Sequence, residues 1–204
     1  MTQKFQRATP EVRQDLLIKA TLRCVTSQGR AGLSVRQIAK EANVSLGLVN
    51  HHFGSLEALL ARAYKSLAGD TLALIVKEMN AGGKAASRRL ENFLLASFSP
   101  AVLNPDLLSA WIVFWSMARD TKQMAEAHQE TYNAYVETLE RLLIDLASEE
   151  KFKLSRSRLA AIAFSAILDG LWLELSLATQ SFTPDDALHI CRRWVDALRK
   201  GAFA

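Results

Sequence analysis

The sequence predicts an all-α protein of nine helices, and three of its features do so. Apolar residues recur at spacings of three and four along most of the chain, while the two-residue alternation of a half-buried strand appears nowhere. Ser, Thr, Asn or Pro stands at the head of these segments, where caps and first-turn prolines belong. Glycines and prolines then close them, among them Gly82-Gly83 and Ser99-Pro100. The 204 residues fit one or two domains and can bury a substantial core. With nine Gly, four Pro and no repeat or low-complexity tract, little of the chain is left for disordered linkers.

Taken in order, Pro10 occupies the first position of helix one, with Glu11 and Asp15 near the positive end of its dipole. Leu16, Ala20, Cys24 and Ser27 trace its inward face, Leu17 and Val25 flank them, and Gly29 to Gly32 ends it. Ser34 caps helix two, whose inward positions are Val35, Ile38 and Ala39. Ala42-Asn43-Val44-Ser45 interrupts it, because Asn tolerates the left-handed backbone of a tight turn and Ser45 is a good cap. Helix three then runs from about Leu46 to Phe53, with Val49 and Phe53 on one face. Gly54 breaks it, and Ser55 caps a long helix four striped by Leu56, Leu59, Leu60, Ala63, Tyr64, Leu67 and Leu74. Helix five follows the glycine pair and extends through about Phe98. Asn104-Pro105-Asp106 starts helix six, LLSAWIVFWSMARD. Helix seven covers about 121–147 and helix eight about 155–180, where Ala160, Ala163 and Ala166 let another helix approach closely. Thr183-Pro184-Asp185-Asp186 caps helix nine, which ends near Lys200 with Arg199 beside it at the negative end of the dipole.

Two short helices joined by a tight turn, residues 34–53, form a helix-turn-helix whose second helix can lie in a DNA major groove. The same geometry also occurs as a plain hairpin inside an all-α bundle. If the motif meets DNA, its outward positions Leu46, Leu48, Asn50, His51 and His52 do so. Phosphates are then met by the Ser34 hydroxyl, by Ser45 with the backbone at the start of helix three, and by His52. Gly47 lets backbone come close to the duplex. Asn50, His51, Leu48 and Arg36 are the expected base readers, since Asn pairs bidentately with adenine and Leu can touch a thymine methyl.

In its details the stretch resembles the DNA-binding signature of the tetracycline-repressor (TetR) family. The matching residues are Ile38-Ala39, Ala42, Val44-Ser45, Gly47, His51, Phe53, Ser55 and Leu59-Leu60. Two departures stand out: Asn50 replaces the usual Tyr, and Leu56 replaces a Lys that ordinarily meets a phosphate. The resemblance implies a three-helix head over residues 1–55 that binds double-stranded DNA. It further implies a body over 56–204 that holds an effector and pairs with a second copy through residues 155–180 and 183–200. A dimer would present two recognition helices about 34–36 Å apart, as a palindrome requires.

Charge agrees with a DNA-facing head. Through residue 65 there are ten basic and four acidic residues, a net +6 against +4 for the whole chain, so the remainder carries −2. Cys24 and Cys191 lie far apart without metal-like neighbours and are expected to be buried free thiols in a reducing compartment. The polar amino terminus has no apolar signal core, and the apolar runs Leu107 to Ala118 and Leu159 to Leu168 read as too short for a bilayer. A cytoplasmic protein is expected. No glycine-rich phosphate loop, nucleophile elbow or metal-ligand spacing appears, so neither an enzyme, a cofactor nor a metal is predicted, and His128 and His189 read as isolated surface or core-edge residues.

The body carries rings at helical spacing: Trp111, Phe114 and Trp115 on helix six, Tyr132 and Tyr135 on helix seven, Trp172 on helix eight. Such a stripe is ordinarily core. Asp169, however, sits in an apolar run with Glu174 beside it, and a buried carboxylate needs a partner. Ring faces near a carboxylate form a cage for quaternary ammonium groups. Equally, Asp169 and Glu174 can be exposed, or pair with Arg119 or an arginine of a second copy. The segments AWIVFW (110–115) and ILDGLWL (167–173) resemble the choline-responsive (BetI) subgroup of the TetR family. That resemblance implies a repressor released by choline or a related cation. An activator, or a DNA-binding regulator without ligand, is the alternative.

Overall fold

The computed structural model describes residues 9–177 and 182–203. Among these stand nine α-helices and no strand: α1 Pro10–Gln28, α2 Val35–Glu41, α3 Leu46–Phe53, α4 Leu56–Ala81, α5 Ala86–Ser97, α6 Pro105–Met117, α7 Lys122–Glu150, α8 Ser157–Ser176 and α9 Pro184–Arg199. The caps act much as expected. Thr9 Oγ1 accepts from the Val12 amide, Ser34 Oγ from Gln37 and Ser55 Oγ from Ala58. Asn104 takes the amides of Asp106 and Leu107, and Thr183 with Asp186 closes a capping box on α9. Asn43 does adopt positive φ, 54°. Three ends move: α6 stops at Met117, α7 continues a turn further to Glu150, and α8 ends at Ser176. Residues 178–180, expected at the end of helix eight, lie outside the described residues, as do Lys4 and Arg7 of the basic head.

The chain divides into two compact units. The first contains residues up to Leu67 together with Ala110–His128; the second contains Ala68–Ser109 and the chain from Gln129 onward. α4, α6 and α7 therefore each supply residues to both.

In the first unit α1, α2 and α3 pack on one another, and Leu17, Ile38 and Val49 are at most 1 % exposed. Cutting Leu17 or Ile38 back to Ala should cost about 2–5 kcal/mol. The buried face of α1 is Leu17, Ile18, Ala20, Thr21, Cys24 and Val25, rotated from the expected one, with Leu16 and Ser27 exposed. The rotation is possible because the Thr21 hydroxyl bonds the Leu17 carbonyl at 2.8 Å, so a polar residue enters the core without an unmet group.

The second unit closes around Phe93, Leu139, Leu142, Leu143, Phe164 and Cys191, all fully buried. α5 has no cap of its own. Glu149 of α7 supplies one, accepting from the Ala86 amide at 2.5 Å, the Ser87 amide at 3.1 Å and the Ser87 hydroxyl at 2.7 Å. Arg199 grips Glu150 through two bonds of 2.6 and 2.7 Å, and Arg192 pairs with Glu91. Both cysteines are buried free thiols.

α8 corrects one expectation. Its apolar stretch extends beyond Leu168, and among the described residues it is the one helix long and apolar enough to cross a membrane. Ala160, Ala161, Phe164, Leu168 and Trp172 nevertheless belong to the core of the second unit. Its outward stripe is Leu159, Ile162, Ala166, Gly170, Leu173 and Leu177, spaced three or four apart. Of the small residues expected to admit another helix, Ala160 is buried, Ala163 half-buried and Ala166 exposed, and Gly170, one turn beyond Ala166, is exposed as well. A Cβ placed on Gly170 would meet nothing within 4 Å.

Candidate functional site

The head presents α3 by a short chain of local constraints. The Ala42 amide bonds the Ile38 carbonyl, the Asn43 amide that of Lys40, and the Val44 amide that of Ala39 at 2.9 Å, which turns the backbone sharply after α2. α3 then starts at Ser45, whose carbonyl accepts from the Leu48 amide at 3.0 Å. The Ser45 side chain makes no capping bond, contrary to its expected role, so that end of α3 keeps its first amides open. Val49 is 1 % exposed and anchors the helix. Its opposite face carries Leu46, Gly47, Asn50 and His51, all exposed, with Leu48 half-buried beside them. A Cβ on Gly47 would meet nothing within 4 Å, so packing inside the protein does not require glycine there. Arg36 and Ser34 are exposed on α2 and at its cap. His52 is half-buried, and its Nε2 is enclosed without a hydrogen-bond partner. Any phosphate bond from this ring therefore falls to Nδ1.

The rings predicted in the body fall into two sets. Trp111, Phe114 and Trp115 belong to the first unit and gather around a residue read as part of a core stripe, Tyr64. The Tyr64 ring lies edge-on to Trp111 at 5.7 Å and 5.3 Å from Phe114, and Trp115 stands 5.6 Å from Trp111. His128 lies half-buried at the core edge but is not isolated: its Nδ1 lies 2.9 Å from the Tyr64 hydroxyl, and burial pushes its pKa down. The Trp111 indole N–H is enclosed without an acceptor.

Tyr132, Tyr135, Asp169 and Trp172 belong to the second unit. Trp172 is nearly buried, and its indole N–H donates to the Ser97 carbonyl at 3.1 Å. Asp169 has one hydrogen-bond partner among the described residues, the Ser165 hydroxyl at 3.4 Å, and no basic side chain pairs with it. Burial pushes its carboxyl up to about 6 from an ordinary 3.8, a rise the Ser165 bond partly offsets. The Tyr135 phenol oxygen is enclosed and unbonded, and burial, then the charge of Asp169, raise it well above the usual phenol value. Phe93 lies 6.4 Å from the Tyr135 ring, and the Cys191 thiol on α9 is pushed up to about 12 by burial. Glu174, the second acid of the predicted set, is exposed. Ser165 escaped the sequence reading because a lone Ser in an apolar helix carries no periodic signal.

Comparison with known proteins matches both parts of the chain. Residues 17–63 fit the profile of bacterial regulatory proteins of the tetR family, and residues 86–200 fit that of the BetI-type transcriptional repressor, C-terminal. The HTH-type transcriptional regulator BetI of Burkholderia thailandensis is 31% identical over 192 residues, 92% of this chain and 94% of that protein. A putative transcriptional regulator from Pseudomonas aeruginosa PAO1 superposes with a TM-score of 0.89 at 42% identity, over 98% of this chain and 96% of its own. A putative transcriptional regulator from Saccharomonospora viridis, solved in complex with choline, shares the fold with a TM-score of 0.77 at 18% identity, over 92% and 97% of the two chains.

Proposed function

Since this chain belongs to the TetR family of bacterial regulatory proteins and carries the BetI-type repressor carboxy-terminal region, we propose that it is a cytoplasmic repressor that binds a palindromic operator as a homodimer and is released by a small organic cation. The observation that carries the DNA side is the outward face of α3. Asn50 and His51 offer hydrogen bonds, Leu46 and Leu48 offer apolar contact, Gly47 leaves room, and the uncapped amides open toward a phosphate. Ser34, Ser45 and His52 through Nδ1 serve as backbone contacts, with Arg36 beside the base readers. Residues 1–55 act as the reading head and 56–204 as the sensing and pairing body.

Pairing is supported by the α8 stripe from Leu159 to Leu177, together with Ile190 on α9, which is 43 % exposed. Apolar residues spaced at three and four around Ala166 and Gly170 suit a second copy of the same helix. The cation side rests on Asp169, an acid without a counter-charge beside Tyr135, and on the choline held by the Saccharomonospora viridis regulator. Tyr132, Tyr135 and Trp172 supply rings in the same unit; Trp111, Phe114 and Trp115 supply ring faces of the same chemistry in the other. Release follows from a population shift, and the cation moves it only by its differential affinity for the two states. α4, continuous from one unit into the other, is the element that carries the change.

The test is a binding assay on operator selected from random duplexes, with choline added last. Asn50→Ala should weaken selected DNA by about 1–3 kcal/mol and leave random DNA nearly unchanged. An equal loss on both removes Asn50 as a reader, and DNA binding unmoved by millimolar choline removes choline as the effector.

A further inference from the structure

We infer that the α7–α8 connection and the end of α9 together form a second DNA surface, separate from the α3 face, which holds the phosphate backbone of a duplex without reading its sequence. Two links bring these segments together. Arg199 on α9 grips Glu150, the last residue of α7, through bonds of 2.6 and 2.7 Å. The Ser155 amide donates to the Phe203 carbonyl at 3.1 Å. Lys151 and Lys200 directly follow the two ion-paired residues, and Lys153 and Arg156 lie within the connection; all four are exposed. The acids around them are already engaged: Glu150 and Asp196 by Arg199, Glu140 by Arg158, and Glu149 by the start of α5. Among the described residues the four cations make no ion pair. They stand together although the chain beyond residue 65 carries a net −2.

Local stability does not account for their placement. Lys151 takes a left-handed backbone, φ 60°, just past a helix, where Gly or Asn is the usual residue. Arg156 stands at the N-cap of α8, where the positive end of the helix dipole disfavours a cation, and it makes no capping bond. Residues placed against local preference point to a function. The uncapped start of α8 also leaves its first amides open to an anion.

The surroundings select the partner. Phe152, Leu154 and Phe203 pack against the core of the second unit, so no ring stands free to stack on an unpaired base or to enter a bilayer. An interface with another protein needs an apolar centre, which this surface lacks. The large exposed apolar residue nearest in sequence, Leu159, belongs to the α8 stripe proposed to pair with a second copy. What remains is point charge offered to a regular array of phosphates, the sequence-independent part of duplex binding. A regulator that holds its operator by α3 and a further stretch of duplex by this end bridges the two.

The test loads full-length protein onto immobilised operator, washes away the excess, and offers a fluorescent random duplex at about 50 mM salt. The parent should capture the second duplex. A variant combining Lys151→Gln, Lys153→Gln, Arg156→Gln and Lys200→Gln should capture at least about tenfold less, with operator affinity within about twofold of the parent. Raising salt to about 200 mM should lower capture by the parent about a hundredfold, as four phosphate contacts require. Lys151→Gly relieves the left-handed backbone, so it should melt no earlier than the parent, yet reduce the salt slope of capture by about one. A purely structural lysine would not separate these two readouts. Equal capture by parent and combined variant, no capture by the parent, or operator affinity lost in step with capture overturns the inference. Tighter binding to vesicles of anionic lipid than to duplex at the same salt assigns the surface to a membrane and overturns it too. Operator affinity, measured alone, reads the head separately from this surface.

Discussion

Replacing Asp169 by Asn should stabilise the protein, and only at high enough pH. The carboxyl is raised from an ordinary 3.8 to about 6, chiefly by burial. The folded chain thus holds this proton more tightly than the unfolded chain does. The associated stability is fully present below the ordinary carboxyl value and is lost as pH rises through about 6. A displacement of roughly two pKa units, at about 1.36 kcal/mol each, amounts to about 3 kcal/mol at most by pH 8. Asn keeps the shape and can still accept from Ser165, but carries no charge to desolvate. Urea unfolding of both proteins at one fixed concentration, from pH 4 to pH 8 in amine-free buffer, measures the difference. The variant should be more stable by up to about 3 kcal/mol at pH 8, and the gap should close toward pH 4. A gap independent of pH, or a variant less stable at pH 8, would show that a cation already compensates the carboxylate in the free protein. The premise of an unpaired acid would then be wrong.

Gly47→Ala should raise thermal stability slightly, by about 0.5–1 kcal/mol, because Ala favours helix and meets no neighbour there. The same change should weaken both selected and random DNA, and unchanged DNA affinity would show that no duplex backbone comes close at that position. Gly170→Arg places a charge in the middle of the α8 stripe and should yield folded monomers in analytical ultracentrifugation with loss of operator binding; a persistent dimer would place the interface elsewhere. Glu149→Gln removes the anion that caps α5. The Ser87 hydroxyl and then the Ser87 and Ala86 amides hold the Glu149 carboxyl below its usual value, so its contribution is present above the ordinary carboxyl pKa and disappears as pH falls. The variant should melt earlier than the parent at pH 7, and the gap should narrow as pH falls below the ordinary carboxyl value on parallel calorimetric scans.

The head was readable in the sequence because its signals are local. Ser34, Asn43 and Ser55 act on amides within three residues of themselves or on their own backbone, so their identities report their conformations directly. The exception, Ser45, takes the N-cap position by backbone yet leaves its hydroxyl out of the cap, and residue type alone does not distinguish the two. The body was readable as helices but not as a site. Tyr64 meets His128 across 64 residues, and Glu149 reaches back 63 residues to cap α5; neither distance leaves a trace in periodicity. The rings expected together separate into two units for the same reason: helical spacing orders residues within one helix and says nothing about which helix faces it. Asp169 was visible as an anomaly, an acid in an apolar run, and its need for a partner followed from desolvation alone. That the partner amounts to one Ser165 hydroxyl, and that Tyr135 beside it has none, is a property of α7, α8 and α9 assembled. The role proposed for the body thus starts from an unmet bond, which a sequence can suggest but only packed helices can define.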